Sequence, residues 1–192
     1  MGHGSPQQAN TSHLRGRIWM SQPTNLVEPW LSGTLTEVPA VQRAVLHALQ
    51  AAEEDLAKWC SELTDDEIQQ RPAGLASVAF HLQHIPGSVD RLLTYAEGRE
   101  LSAEQLQAMK VEGSATTSAQ AALQALSQAT AASAERVRHF DEAQLEEPRY
   151  VGRRRIPTTV GGLLVHVADH TQRHVGQAVT TARVLLANRK LG

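Results

Sequence analysis

Apolar residues recur at three- and four-residue intervals in four long stretches of the chain, the spacing of one buried face of a helix. In the first, Ala40 to Cys60, the stripe is Val41, Val45, Leu49, Ala52, Leu56 and Trp59. The second is ASVAFHLQHIPGSVDRLLTYA, Ala76 to Ala96. The third, GSATTSAQAALQALSQATAASAERVRHF, turns Leu123, Leu126, Ala134 and Val137 inward. The fourth, Thr158 to Arg189, carries Leu163, Val167, Ala178, Val179, Ala182, Leu185 and Leu186. Start signals precede each helix: Pro39, Ser77, Thr117 or Ser118, and Thr158 or Thr159. Thr64 with Glu67 is a capping box, Pro72 and Gly74 break the chain, and Gly98 closes the second helix. ELSAEQLQAMK predicts a short helix, and the stretch from Phe140 to Pro157 reads as a plain connection. No stretch shows the alternation of a strand. The fold class predicted is all-α: a four-helix bundle with short connecting helices. The long segment between helices two and three predicts a crossover connection.

A length of 192 residues suits one domain, read as 23–192 behind a flexible arm at 1–22. The arm is rich in Gly, Ser, Gln and Asn, so His3 and His13 are discounted as ligands; Trp19 is unusual for such a tail, and Met20 is an alternative start. Trp30 and Leu31 are expected to anchor the lead-in to the first helix. With a formal charge of −2 and a pI near 6.5, the chain has no electrostatic footprint for nucleic acid. A lone cysteine forms no internal disulfide and fits a reducing compartment. No apolar run is long enough for a membrane span and no signal-peptide core opens the chain, so a cytoplasmic protein is expected. The alanine-rich helices suit a flat homodimer face.

Histidine changes the picture. Nine histidines in 192 residues would give about 0.4 pairs at spacing four by chance. There are two, His166–His170 and His170–His174, both on the fourth helix. Residues i and i+4 share a helix face, so His170 and His174 can present two imidazoles to one point. On helix pattern alone a hydrated polar face explains them equally well. The second helix adds His81 and His84. One histidine from it, joined to two from the fourth, would make three neutral nitrogen donors with a coordination position open. That is the donor set of a catalytic zinc-type site. Three imidazoles suit Zn, Ni, Fe or Cu, with availability deciding among them; zinc is the first expectation, nickel or iron the next.

Other residues carry two readings each. Arg91, seven residues beyond His84 on the same face, would pair with an anionic substrate group or with a helix acid. Gln177 would bond a ligand or line the pocket. Asp169, His81 and His166 are candidate proton acceptors. His47 sits beside the first stripe and is set aside as a ligand. Cys60 reads as a small buried residue rather than a nucleophile. Arg153, Arg154 and Arg155 are either solvated loop charges or an anion clamp at the pocket mouth. Pro86 and Gly87 either kink the second helix beside His84 or mark where it ends and restarts.

Taken together, Ser77–x6–His84 on the second helix, HTQRH on the last, Gly176–Gln177 after it and the RPAG turn resemble the DinB-like superfamily of metal-binding four-helix bundles. The resemblance spans about Trp30 to Arg189. It implies that His84, His170 and His174 bind a divalent metal, that His81 is a neighbour rather than a ligand, and that His166 lines the pocket. Members resemble metal-dependent hydrolases and transferases or isomerases that use low-molecular-weight thiols. The resemblance therefore implies a metal-dependent enzyme acting on a small molecule, with a thiol as an optional cosubstrate. The alternative is a non-enzymatic metal-binding or stress-related helical module.

Overall fold

The structure, a computed structural model, describes residues 27–113 and 117–189 besides Met1. The arm at 1–22, with His3, His13, Trp19 and Met20, lies outside the described residues. Five α-helices dominate: α1 (Ala40–Cys60), α2 (Val78–Ala96), α3 (Ala103–Val111), α4 (Ala119–Arg138) and α5 (Val160–Asn188). Between α4 and α5 lies a two-stranded antiparallel hairpin, β1 (Pro148–Val151) and β2 (Ile156–Thr159).

The caps explain where the helices start. The hydroxyls of Ser77, Ser102, Ser118 and Thr159 each accept a bond from a backbone N–H in the first turn of α2, α3, α4 and α5. Thr64 and Glu67 form the expected reciprocal capping pair. Gly98 ends α2 with φ +75°, a conformation glycine adopts without steric cost. Pro86 lies inside α2, which continues through it to Ala96. Of the two readings of Pro86, an end and restart is therefore excluded.

Two expectations fail. The connection before α5 is not plain loop. Pro148 to Val151 pairs with Ile156 to Thr159 across a turn in which Gly152 (φ 68°) and Arg155 (φ 48°) are left-handed. Four-residue strands are too short, and too little buried, to show an alternating pattern. Trp30 and Leu31 do not anchor the lead-in either: they are 63% and 57% exposed, and Pro29 is the buried residue.

Both α1 and α2 pack against both α4 and α5. The interior divides into two apolar clusters. One contains Leu56, Cys60, Leu82, Leu126, Ala178 and Leu185, the other Val45, Leu93, Val137, Val160 and Leu164. Each draws on all four long helices. Between them lie buried hydroxyls, Ser88, Ser133 and Thr171, and the Thr171 hydroxyl has no partner among the described residues. His170 and His174 flank Thr171 on α5, next to this polar layer.

Candidate metal centre

His84, His170 and His174 come together where α2 crosses α5, each offering one ring nitrogen, with all three nitrogens within 4.8 Å of one another. The helix repeat does the positioning. His170 and His174 lie one turn apart on α5, with ring centroids 4.5 Å apart. His84 faces both from α2, at 5.3 Å from His170 and 4.4 Å from His174. His84 Nε2 and His170 Nε2 are 3.1 Å apart.

The outer ring nitrogens are held from behind. Glu112, just past the end of α3, lies 2.7 Å from His84 Nδ1 through Oε2. A carboxylate only accepts, so His84 Nδ1 carries the proton and Nε2 turns its lone pair to the cluster. Arg91 donates to the other Glu112 oxygen, so of its two readings the ion pair with an acid is the one observed. Arg91 and Glu112 side chains are each only 11% exposed. Gly87 makes room for this pair: a Cβ there would stand 2.7 Å from Glu112 Oε1. On the other flank, buried His81 meets His174, Nδ1 to Nδ1, at 3.2 Å. Phe80 stacks on His84 at 5.1 Å and touches His81 and His174 edge-on.

Burial and mutual crowding hold His81, His170 and His174 below the ordinary histidine range. Burial, then the neighbouring His174 and His84, pushes His81 down to about 4. Burial, then His174, His84, His166 and Arg173, lowers His170 to about 4. Burial, His84 and Arg173 also lower His174, against an opposing hydrogen bond from Gln177 and the charge of Glu112. Near pH 7 His170 and His174 are therefore uncharged donors, the state a divalent metal needs. Zinc–nitrogen bonds of about 2.0–2.1 Å around a tetrahedron put donors about 3.3 Å apart; His84 Nε2 and His170 Nε2, at 3.1 Å, stand close to that spacing, in a set no wider than 4.8 Å.

The remaining candidates lie at the rim or elsewhere. His166 is exposed, 5.3 Å from His170 by ring centroid, and pairs with Asp169 at 2.8 Å. Asp169 also pairs with Arg173. Gln177 is exposed beside His174. His47 is buried near Thr34 and stays out of the cluster. Cys60 is fully buried, and burial pushes its thiol up to about 12, so it is no nucleophile. Arg153 to Arg155 form the hairpin turn, and Arg153 and Arg155 line a different cleft. Sequence reasoning missed Glu112 altogether. It lies 28 residues from His84 after a short helix, and no spacing rule links the two.

No curated protein and no solved structure shows a significant match to the chain. The model of the DinB superfamily matches residues 48–178, more than half of the chain and a span that holds all three histidines, Glu112 and Arg91. The chain belongs to the DinB superfamily.

Proposed function

We propose that His84, His170 and His174 hold a divalent metal, zinc first and nickel or iron next, in a metal-dependent enzyme acting on a small molecule. The observation that carries this reading is the convergence of three imidazole nitrogens, with Glu112 bonded to Nδ1 of His84 and His81 to Nδ1 of His174. A bare polar helix face gives no reason for a buried Glu–Arg pair aimed at one ring nitrogen. Bracing of this kind fixes tautomer and ring orientation and raises ligand basicity.

A divalent metal in such a site supplies Lewis acidity, which acidifies water or a thiol at neutral pH. Hydrolysis, or transfer of a low-molecular-weight thiol, is the chemistry this supports. The protein's own groups divide the remaining work. His84 is fixed by Glu112, and His174 is held between His81 and Gln177. Exposed His166, paired with Asp169 and next to His170, is the candidate proton acceptor at the rim. We read the architecture as a four-helix bundle of α1, α2, α4 and α5, with α3 in the crossover. On that reading the crossover has a task, since α3 delivers Glu112. A homodimer in the cytoplasm is part of the same proposal.

The test is elemental analysis of tag-free protein beside the His170→Ala/His174→Ala double variant. Near-stoichiometric metal in the parent and none in the variant is the expected result, and would direct activity screens to thiol transfer and hydrolysis. A parent that carries no metal and takes up neither Zn nor Ni would end the metal reading. It would leave the non-enzymatic module in its place.

A further inference from the structure

A cleft of about 620 Å³ opens at the far end of α2, between that helix end, α3 and the β1–β2 hairpin. It shares no lining residue with the histidine cluster. Tyr95, on its wall, is eleven residues beyond His84 on α2, about 16 Å at the helical rise per residue.

Its chemistry is two-sided. Its lining includes the largely apolar side chains of Tyr95, Leu101 and Leu106. The same lining includes four arginines, Arg99, Arg149, Arg153 and Arg155, against one acid, Glu100. Two of the four are already satisfied. Arg149 donates to the Ala96 carbonyl and to Glu147, and Arg99 donates to Glu97. Arg153 and Arg155 have no carboxylate partner among the described residues. Arg155 is nonetheless fixed, its guanidinium stacked 4.5 Å from the Tyr150 ring centroid. Its left-handed φ of 48° is a strained conformation for a non-glycine residue, and the hairpin turn holds it.

The carbonyls at the C-terminal end of α2 would oppose an anion. They are covered: Arg149 takes the Ala96 carbonyl, and backbone N–H groups of Glu97, Gly98 and Arg99 take those of Leu93, Tyr95 and Thr94. That leaves a cleft of mixed lining whose unpaired charges are the two guanidinium groups of Arg153 and Arg155 against the one carboxylate of Glu100, a net positive and forked set suited to a carboxylate or phosphate. We propose that this cleft binds a small amphipathic anion, a carboxylate or phosphate monoester on an apolar body, through Arg153 and Arg155. The site is separate from the histidine cluster and independent of any metal there.

The probe is 1-naphthyl phosphate, titrated calorimetrically at low salt. Inorganic phosphate and neutral 2-naphthalenemethanol are the two half-probes. Saturable one-to-one binding is expected, at least tenfold tighter than either half-probe. In Arg153→Ala/Arg155→Gly binding weakens tenfold or more. Glycine at 155 relieves the backbone strain, so the hairpin keeps its fold, which circular dichroism checks. Should that variant fail to fold, Arg153→Ala alone gives the same reading with a smaller loss. His170→Ala/His174→Ala binds the probe as the parent does. No saturation, binding unchanged without the arginines, binding lost with the histidines, or inorganic phosphate bound as tightly as the naphthyl ester would each overturn the proposal.

Discussion

Glu112 is the residue on which the geometry of the cluster turns. It bonds His84 at Nδ1 and Arg91 at its second oxygen, and it stands where a side chain on Gly87 would go. Glu112→Gln keeps the shape but loses the charge, and metal affinity should fall about 10- to 100-fold; stability should fall as well, because Arg91 is left buried without its counter-charge. Gly87→Ala reaches the same end by a different route, because its methyl displaces Glu112; competition against a metal chelator measures both. A variant series with unchanged affinity would show that His84 needs no bracing. The depressed histidines give a pH signature in the metal-free protein. His81 and His170 are held near 4 in the fold against an ordinary 6.5, so the unfolded chain binds more protons between those values. Stability from these groups is complete above about pH 6.5 and is lost as pH falls toward 4. Denaturant midpoints of metal-free protein should drop across that window, and less so in His81→Ala. A flat profile would mean that the rings are not desolvated.

At the scale of elements, α2 and α5 were legible from the sequence because helical period, cap residues and histidine spacing all agree on them. The capping hydroxyls of Ser77 and Thr159 sit where local rules place them, and the same rules bring His170 and His174 to one face. What was not legible is contact between distant segments. Nothing local says that the end of α3 returns to His84, or that Arg91 looks to Glu112 rather than to open solvent. The hairpin escaped for another reason: its strands are four residues each with none of them fully buried, and neither PRYV nor IPTT alternates apolar with polar residues. The join of α2 to α4 and α5 holds a test of packing. Thr171 is fully buried with its hydroxyl unpaired, beside Ser133 and Ile85 in the layer between the two apolar clusters. An unmet buried hydroxyl costs about 1–3 kcal/mol, and a methyl of the same shape removes that cost. Thr171→Val should therefore leave the melting temperature unchanged or raise it by a few degrees. A fall would show that the hydroxyl is bonded in solution.

For the molecule as a whole, the question is whether the histidine cluster is coupled to global folding, and Cys60 is the natural reporter. It is the only thiol, it is fully buried in the larger apolar cluster, and burial raises it to about 12. A thiol in that state does not react where it sits, so alkylation has to wait for the chain to open. The two apolar clusters both use α1, α2, α4 and α5, and no subset of these helices keeps either cluster closed. Opening that exposes Cys60 should therefore be global, and labelling by iodoacetamide should follow the loss of helical circular dichroism across a denaturant series. A metal held between α2 and α5 binds only the closed form, so it must slow labelling by mass action. At 100 times its dissociation constant, the stabilisation is about 2.7 kcal/mol, or about 100-fold in the labelling rate when opening is at equilibrium. The His170→Ala/His174→Ala variant should label at one rate with or without metal. If metal left the parent's rate unchanged while elemental analysis showed it bound, Cys60 would be exposed by a local opening at the end of α1. The histidine cluster would then be uncoupled from the part of the fold that Cys60 reports.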